Sequence, residues 1–133
     1  MTYYLAVDLG ATNVRAACFS GTGELLTRDR RPSQPTMGAD TVFKQILASV
    51  QAVQPTTPAL ALGIGSPGPL DPYRGVIVQA VNIPGWDNYP LRDHLQTALG
   101  LPVYLDNDAN LAALGEWRFG AGQGTQHMLY LTI

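Results

Sequence analysis

An α/β fold, a mixed sheet with helices on both faces, is predicted by three features of the sequence. Short strand-like runs joined by two glycine turns fill the segment from Tyr3 to Arg28. Helix and strand patterns then alternate, which requires parallel pairing in the same sheet. Right-handed crossovers between those strands bring the loops that begin at Asp8, Gly65 and Asp106 to one sheet edge, where open α/β sheets hold their ligands. The composition fits: 133 residues with 46% hydrophobic content can bury one core, while 14% charged residues and a net charge of -2 exclude a charge-driven disordered tail. Only Arg28, Arg30 and Arg31 cluster among the basic residues, and they are expected at the solvated end of a strand, so no nucleic-acid footprint exists.

Tyr3 to Val7 is apolar on both alternating faces, as a central buried strand would be. Val14 to Phe19 follows, then Gly21, Thr22 and Gly23 turn the chain into Glu24 to Arg28. Pro32 to Gly38 reads as a linker. From Asp40, the expected N-cap, Phe43, Ile46, Leu47 and Val50 recur at helical spacing until Pro55. Ala59 to Ile64 is a further buried strand, too short to span a bilayer, and runs into Gly65-Ser66-Pro67-Gly68-Pro69, which cannot be helical. A hairpin is expected around Arg74 and Gly75. Pro90 suits the first turn of a helix that carries Leu91, Leu95 and Leu99 on one face and ends at Gly100. Pro102 to Leu105 is a buried strand, Asp106 to Asp108 supply the cap of a helix from Ala109 to about Arg118, and Gly120, Gly122 and Gly124 end it. Met128 to Ile133 reads as another strand.

Two of the converging loops carry carboxylates. Asp8-Leu9-Gly10-Ala11-Thr12-Asn13 places an acid at a strand end, then small residues whose backbone N–H groups can approach a phosphate, and Asp8 can hold hydrated magnesium. The same residues equally suit a hairpin turn closed by its own aspartate. Asp106-Asn107-Asp108 offers a base for a substrate hydroxyl beside an amide that both donates and accepts, and three such residues exceed what a helix cap needs. The third loop, Gly65 to Pro69 with Asn82, Pro84, Gly85 and Trp86, suits a rigid wall against a hydroxyl-rich ligand, with Trp86 expected in the core. His94, His127 and the single cysteine, Cys18, stand apart, so neither a metal cluster, a thiol-histidine pair nor an internal disulfide is supported. No lysine-bearing phosphate loop occurs, and Ser66 lacks a nucleophile elbow because Ile64 stands where glycine is needed.

Taken in order, Asp8-x-Gly10-x-Thr12, Gly65-Ser-Pro-Gly-Pro69, Asn82-Ile-Pro-Gly-Trp86 and Leu101-Pro-Val-Tyr-Leu-Asp-Asn-Asp-Ala-Asn110, followed by Ala112-Ala-Leu-Gly-Glu116, resemble the ROK family of sugar kinases and sugar-responsive repressors. The resemblance implies a ribonuclease H-like lobe of the actin-like ATPase and hexokinase superfamily over residues 1–118. It makes 119–133 a hinge and the first strand of a second lobe otherwise absent. It implies Asp108 as the catalytic base, Ala6, Val7, Asp8, Leu9, Gly10, Ala11, Thr12 and Asn13 as the ATP phosphate segment, and Asp8 near magnesium. Gly68, Asn82, Asn107 and Asp108 are implied to contact the sugar, a hexose or N-acetylhexosamine with glucose the first choice.

Ala11 and Asn13 depart from the family's usual glycine and lysine. Past the residue matching Ile133 the family continues into a second phosphate loop, a histidine and glutamate that complete the sugar site, a zinc motif and the adenosine pocket. On that basis ATP and Mg2+ are the expected cofactors, structural zinc belongs only to that further part, and this chain is half a cleft expected to be inactive alone. The expected protein is cytoplasmic, without nucleic-acid or membrane partners, and homo-oligomeric at full length. The alternatives are a sugar-binding or assembly module without catalysis, and a ROK repressor.

Overall fold

Alternation in the first strand sets the layers. A computed structural model describes all 133 residues. In β1 (Tyr3–Leu9) the side chains of Leu5, Val7 and Leu9 are buried on one face while Tyr4 and Asp8 are exposed on the other. Full burial on both faces, expected from the apolar run, is therefore not what this strand has. β2 (Asn13–Ser20) pairs antiparallel with β1, and β3 (Leu25–Pro32) antiparallel with β2. β4 (Leu62–Ser66) and β8 (Val103–Asn107) extend the sheet in parallel on the other side, giving the order β3-β2-β1-β4-β8. One antiparallel strand in five makes the sheet mixed, as predicted.

The inner face carries α1 (Ala39–Val53) and α2 (Leu91–Leu99). Val42, Ile46, Val50 and Val53 of α1, with Leu91 and Leu95 of α2, join the inner residues of the strands in one core. Burying each such side chain contributes roughly 1.5–3 kcal/mol. α3 (Asp108–Phe119) lies on the outer face, where a Cβ at Gly65 would come 3.3 Å from Leu111 Cδ1. It covers only part of that face, which is why the outer side of β1 stays open.

Several boundaries move. α1 starts at Ala39 with Gly38 at its N-cap, so Asp40 sits in the first turn without capping, where its charge still favours the helix dipole. β4 starts at Leu62 rather than Ala59 and runs on through Gly65 and Ser66, because both continue the ladder with β8, opposite Asp106 and Asn107. Pro90 occupies the N-cap position of α2 rather than its first turn, and Gly100 closes it with φ 67°. The Pro32–Gly38 segment contains a 3-10 turn over Pro35–Met37. β5 (Leu70–Asp71) and β6 (Val76–Gln79) form the hairpin expected around Arg74 and Gly75, and β7 (Asp87–Tyr89), unforeseen, adds a third strand. Trp86 is fully buried and stacks on Tyr89 at 4.5 Å, with its indole N–H left unpartnered. Met128 to Ile133, expected as a strand, joins neither sheet.

Gly75 fixes the hairpin to α2. It has φ +70°, and a Cβ there would fall 2.5 Å from Arg92 Cβ, while Arg92 Nη1 donates to Tyr73 O at 3.0 Å. Gly75→Ala is expected to lower stability by about 2 kcal/mol, through left-handed strain and displacement of a side-chain root that cannot swing away. Urea unfolding of the variant against the parent checks it; an unchanged midpoint would disprove the clash.

The arginine trio divides. Arg28 and Arg30 are exposed, but Arg31 Nε donates to Asp29 Oδ2 at 2.8 Å on the α1 side, and buried Ser49 donates to the same oxygen at 2.7 Å. The hydrogen bond from Arg31 chiefly holds the Asp29 carboxyl below its ordinary 3.8. The charged form thus favours the fold: its contribution is whole above the ordinary range and is lost as pH falls through the lowered value. The stability gap between the parent and Asp29→Asn should stay level from neutral pH to about 5 and close below 3.8. A gap that widens on acidification would refute this linkage.

Candidate active site

The site grows from one row of the sheet. Asp8 of β1 pairs in register with Gly65 of β4, and Gly65 with Asp106 of β8, so the three predicted loop starts stand side by side at the ends of parallel strands. Beyond them lie the β1–β2 turn, the Pro67–Pro69 loop and the first turn of α3.

In the β1–β2 turn, Gly10 N donates to Asn13 O at 2.9 Å, so that amide is spent inside the loop. The N–H groups of Ala11 and Thr12 donate to nothing in the chain and are exposed, which leaves them to bind an anion. Ser33 holds the loop from behind: its N–H donates to Thr12 O and its hydroxyl to Ala11 O, both at 2.9 Å, and it is 1% exposed. Val7 and Leu9 turn their side chains into the core, so only their backbone belongs to this segment. Ala6 and Asp8 face the open side. Asp8 Oδ2 meets Arg15 Nη1 at 3.4 Å, both side chains being more than half exposed, a pair worth a fraction of a kcal/mol. An exposed carboxylate so weakly engaged suits magnesium, which keeps most of its waters and takes one or two protein oxygens. No group of three or more acidic, histidine or cysteine side chains converges anywhere to hold a metal directly.

At the start of α3, Asn107 is the cap among the three polar residues: its Oδ1 accepts from Ala109 N at 2.9 Å and Asn110 N at 3.3 Å. That leaves its Nδ2 to donate, and a Cβ built on Gly68 would stand 3.5 Å from it. Asp106 Oδ1 accepts from Asn107 N and from Asn110 Nδ2, tying strand end to helix. Asp108 is half-buried, and one of its oxygens accepts from Ala109 N at 2.8 Å while the other has no partner.

The predicted residues divide between two concavities. Gly10, Ala11, Ser66, Gly68 and Asn82 line a small cleft of about 60 Å³. Asp8, Gly65 and Asp108 line a larger groove of about 1070 Å³ on the outer face. Asn107 bridges them, with its amide toward Gly68 and Asp108 as its neighbour. Thr12 and Asn13 line neither. Pro84 and Gly85 are exposed beyond the small cleft, and Trp86 is core. Cys18 is buried in the core, its thiol pushed up by desolvation, and takes no part. Ser33 was missed, since it acts only through the β2–β3 pairing.

A mixed five-stranded sheet with α1 and α2 inside, α3 outside and polar loops along one edge is the lobe of an actin-like ATPase. The chain belongs to the ROK family, matched over residues 4–133. It is 37% identical over 129 residues to a glucokinase of Thermotoga maritima, covering 97% of this chain and 41% of that protein. It superimposes with a TM-score of 0.83 on a ROK family glucokinase of Streptomyces griseus crystallised with glucose and AMPPNP, at 37% identity, over 92% of this chain and 38% of that one. A ROK hexokinase of Thermus thermophilus matches with TM-score 0.83 and 38% identity over 92% and 41% of the two chains. A xylose repressor of Caldicellulosiruptor bescii is 33% identical over 137 residues, 97% of this chain and 33% of that protein. The chain thus spans about two fifths of the length of the kinases it matches.

Proposed function

We propose that this chain is the N-terminal lobe of an ATP-dependent sugar kinase, which transfers the γ-phosphate to the primary hydroxyl of a hexose, glucose first among them. The register of Asp8, Gly65 and Asp106 across three parallel strands is the observation that carries the reading. It brings the β1–β2 turn, with its two unpaired N–H groups, and the carboxylate of Asp108 to one edge, which supports the positioning that phosphoryl transfer chiefly requires.

Asp108 removes the proton from the attacking hydroxyl through its unpartnered oxygen. Ala11 and Thr12 donate their N–H groups to phosphate oxygens, on a loop stiffened by Ser33. Asn107 Nδ2 and Asn82 hold sugar hydroxyls, with Gly68 letting the sugar approach the backbone. Asp8 would hold hydrated magnesium, which supplies charge neutralisation for the phosphates. Residues 1–118 belong to this lobe and 119–133 lead into the partner lobe, where Met128–Ile133, unpaired here, would become its first strand. One lobe makes half a cleft, so the chain alone is inactive, and the complete enzyme is a cytoplasmic homo-oligomer.

A graft tests this reading: the chain replaces the matching 129 residues of the Thermotoga maritima glucokinase, and ATP-dependent glucose phosphorylation is followed in a coupled assay. Turnover by the graft and none by the isolated chain supports it. A folded graft without turnover leaves sugar binding alone, and turnover by the isolated chain refutes the half-cleft.

A further inference from the structure

Of the segment from Asn82 to Trp86 the proposed function uses only Asn82. That residue lines the small cleft from the hairpin loop 80–86, between β6 and β7. Its side chain is exposed and takes no part in any hydrogen bond within the chain. Where the amide stands is therefore decided by the backbone around it.

Two tight turns make up that backbone. Ile83 N donates to Ala80 O at 3.0 Å and closes the first, with Asn82 at its third position. Trp86 N donates to Ile83 O at 3.2 Å and closes the second, in which Pro84 is followed by Gly85 at φ +91°, the pairing of a type II turn. A third bond, from Ala80 N to Trp86 O at 3.0 Å, joins the ends of the loop. Every one of these bonds ends on Ala80, Ile83 or Trp86, so the loop is as fixed as those three residues are.

Trp86 is the largest of them and is fully buried, whereas Ala80 is small and half-buried. Its indole stacks on Tyr89 of β7 with ring centres 4.5 Å apart. Tyr89 meets His94 of α2 edge-on at 4.8 Å, and His94 meets Phe43 of α1 edge-on at 6.2 Å. This row of rings ties the loop to both inner helices, and such pairs add to what burial alone supplies. The indole N–H has no acceptor, so the side chain holds by shape and packing.

We propose that Trp86 is a positioning residue of the sugar site: seated in the core against Tyr89, it keeps both turns closed and so holds the Asn82 amide at the small cleft. This role rests on the proposed kinase reading, in which Asn82 holds a sugar hydroxyl. A loop freed from its anchor would have to be ordered each time sugar binds, which weakens binding and leaves proton transfer to Asp108 unchanged.

In the grafted kinase Trp86→Leu, which keeps an apolar side chain but not the stacking ring, should raise KM for glucose at least ~10-fold with kcat within about threefold. Trp86→Phe should recover most of that, since no hydrogen bond is lost with the indole. Asn82→Ala should raise KM likewise, and adding Trp86→Leu to it should raise KM no further, because the two act through one contact. Leu62→Ala, a cavity at the other end of β4, is the comparator: it lowers Tm and should leave KM in place. If Trp86→Leu does not fold, Tyr89→Leu removes the other half of the stack and is read in the same way. In the 133-residue chain, Trp86→Leu should speed amide hydrogen exchange at Ala80 and Ile83 at least ~10-fold more than Leu62→Ala does. Effects of Trp86→Leu and Asn82→Ala that multiply, a KM that Leu62→Ala raises as much, or equal exchange in the two variants overturns the proposal. So does a KM raised by Trp86→Leu and untouched by Asn82→Ala. A graft without turnover refutes the kinase reading instead, and exchange at Ile83 then decides whether Trp86 holds the loop.

Discussion

Asp108→Asn in the grafted kinase is expected to lower kcat at least ~100-fold while KM for glucose changes by less than about threefold. The carboxamide keeps the shape of the side chain, and its oxygen can still accept from Ala109 N, which Asp108 does now at 2.8 Å. The cap of α3 belongs to Asn107 and is untouched. The substitution therefore leaves the first turn of the helix in place and removes one property, the capacity to take a proton. In the proposed site sugar affinity rests chiefly on the Asn107 amide, Asn82 and the backbone at Gly68, none of which changes. Steady-state kinetics at saturating ATP separate the two quantities. An unchanged kcat would remove Asp108 from the reaction, and a large rise in KM with kcat intact would make it a sugar ligand only.

The edge at which this chemistry is proposed was legible because strand ends and turn residues are local signals. Asp8, Gly65 and Asp106 each lie where an apolar run stops, and parallel pairing alone then sets them in one row. The hairpin at Gly75 and the cap region of α3 were equally local. Ser33 was not legible: it reaches Ala11 across 22 positions, through a β2–β3 register that no short pattern encodes. The division of Arg31 from Arg28 and Arg30 has the same origin, since alternation along β3 decides which arginine meets Asp29 and which faces outward. β7 is only three residues long, and its signal is lost among the turn residues around it. α3 itself was legible from its cap and length, but that none of its residues is buried was not, because how much of the sheet it covers depends on packing rather than on local pattern.

Gly65→Val is expected to cost the graft on the order of 100-fold in kcat and the isolated chain about 2 kcal/mol of stability. Gly65 is the point at which α3 rests on the sheet: a Cβ there would lie 3.3 Å from Leu111 Cδ1 and 3.4 Å from the Cα of Asp108. Alanine would ask for a few tenths of an ångström. The two further methyl groups of valine reach past that distance and lift the first helical turn, which carries Asp108, the proposed base, by roughly 1 Å, a displacement that costs about two orders of magnitude when it separates a base from its proton. Gly63→Val supplies the contrast. It lies two residues earlier on the same face of β4, where a Cβ meets nothing within 4 Å, and valine is favoured in strands, so the isolated chain should keep its Tm. If both valines destabilise the chain equally, the cost belongs to the strand and not to the seat of α3. If Gly65→Val lowers stability and spares kcat in the graft, the depth of Asp108 is not set by this contact.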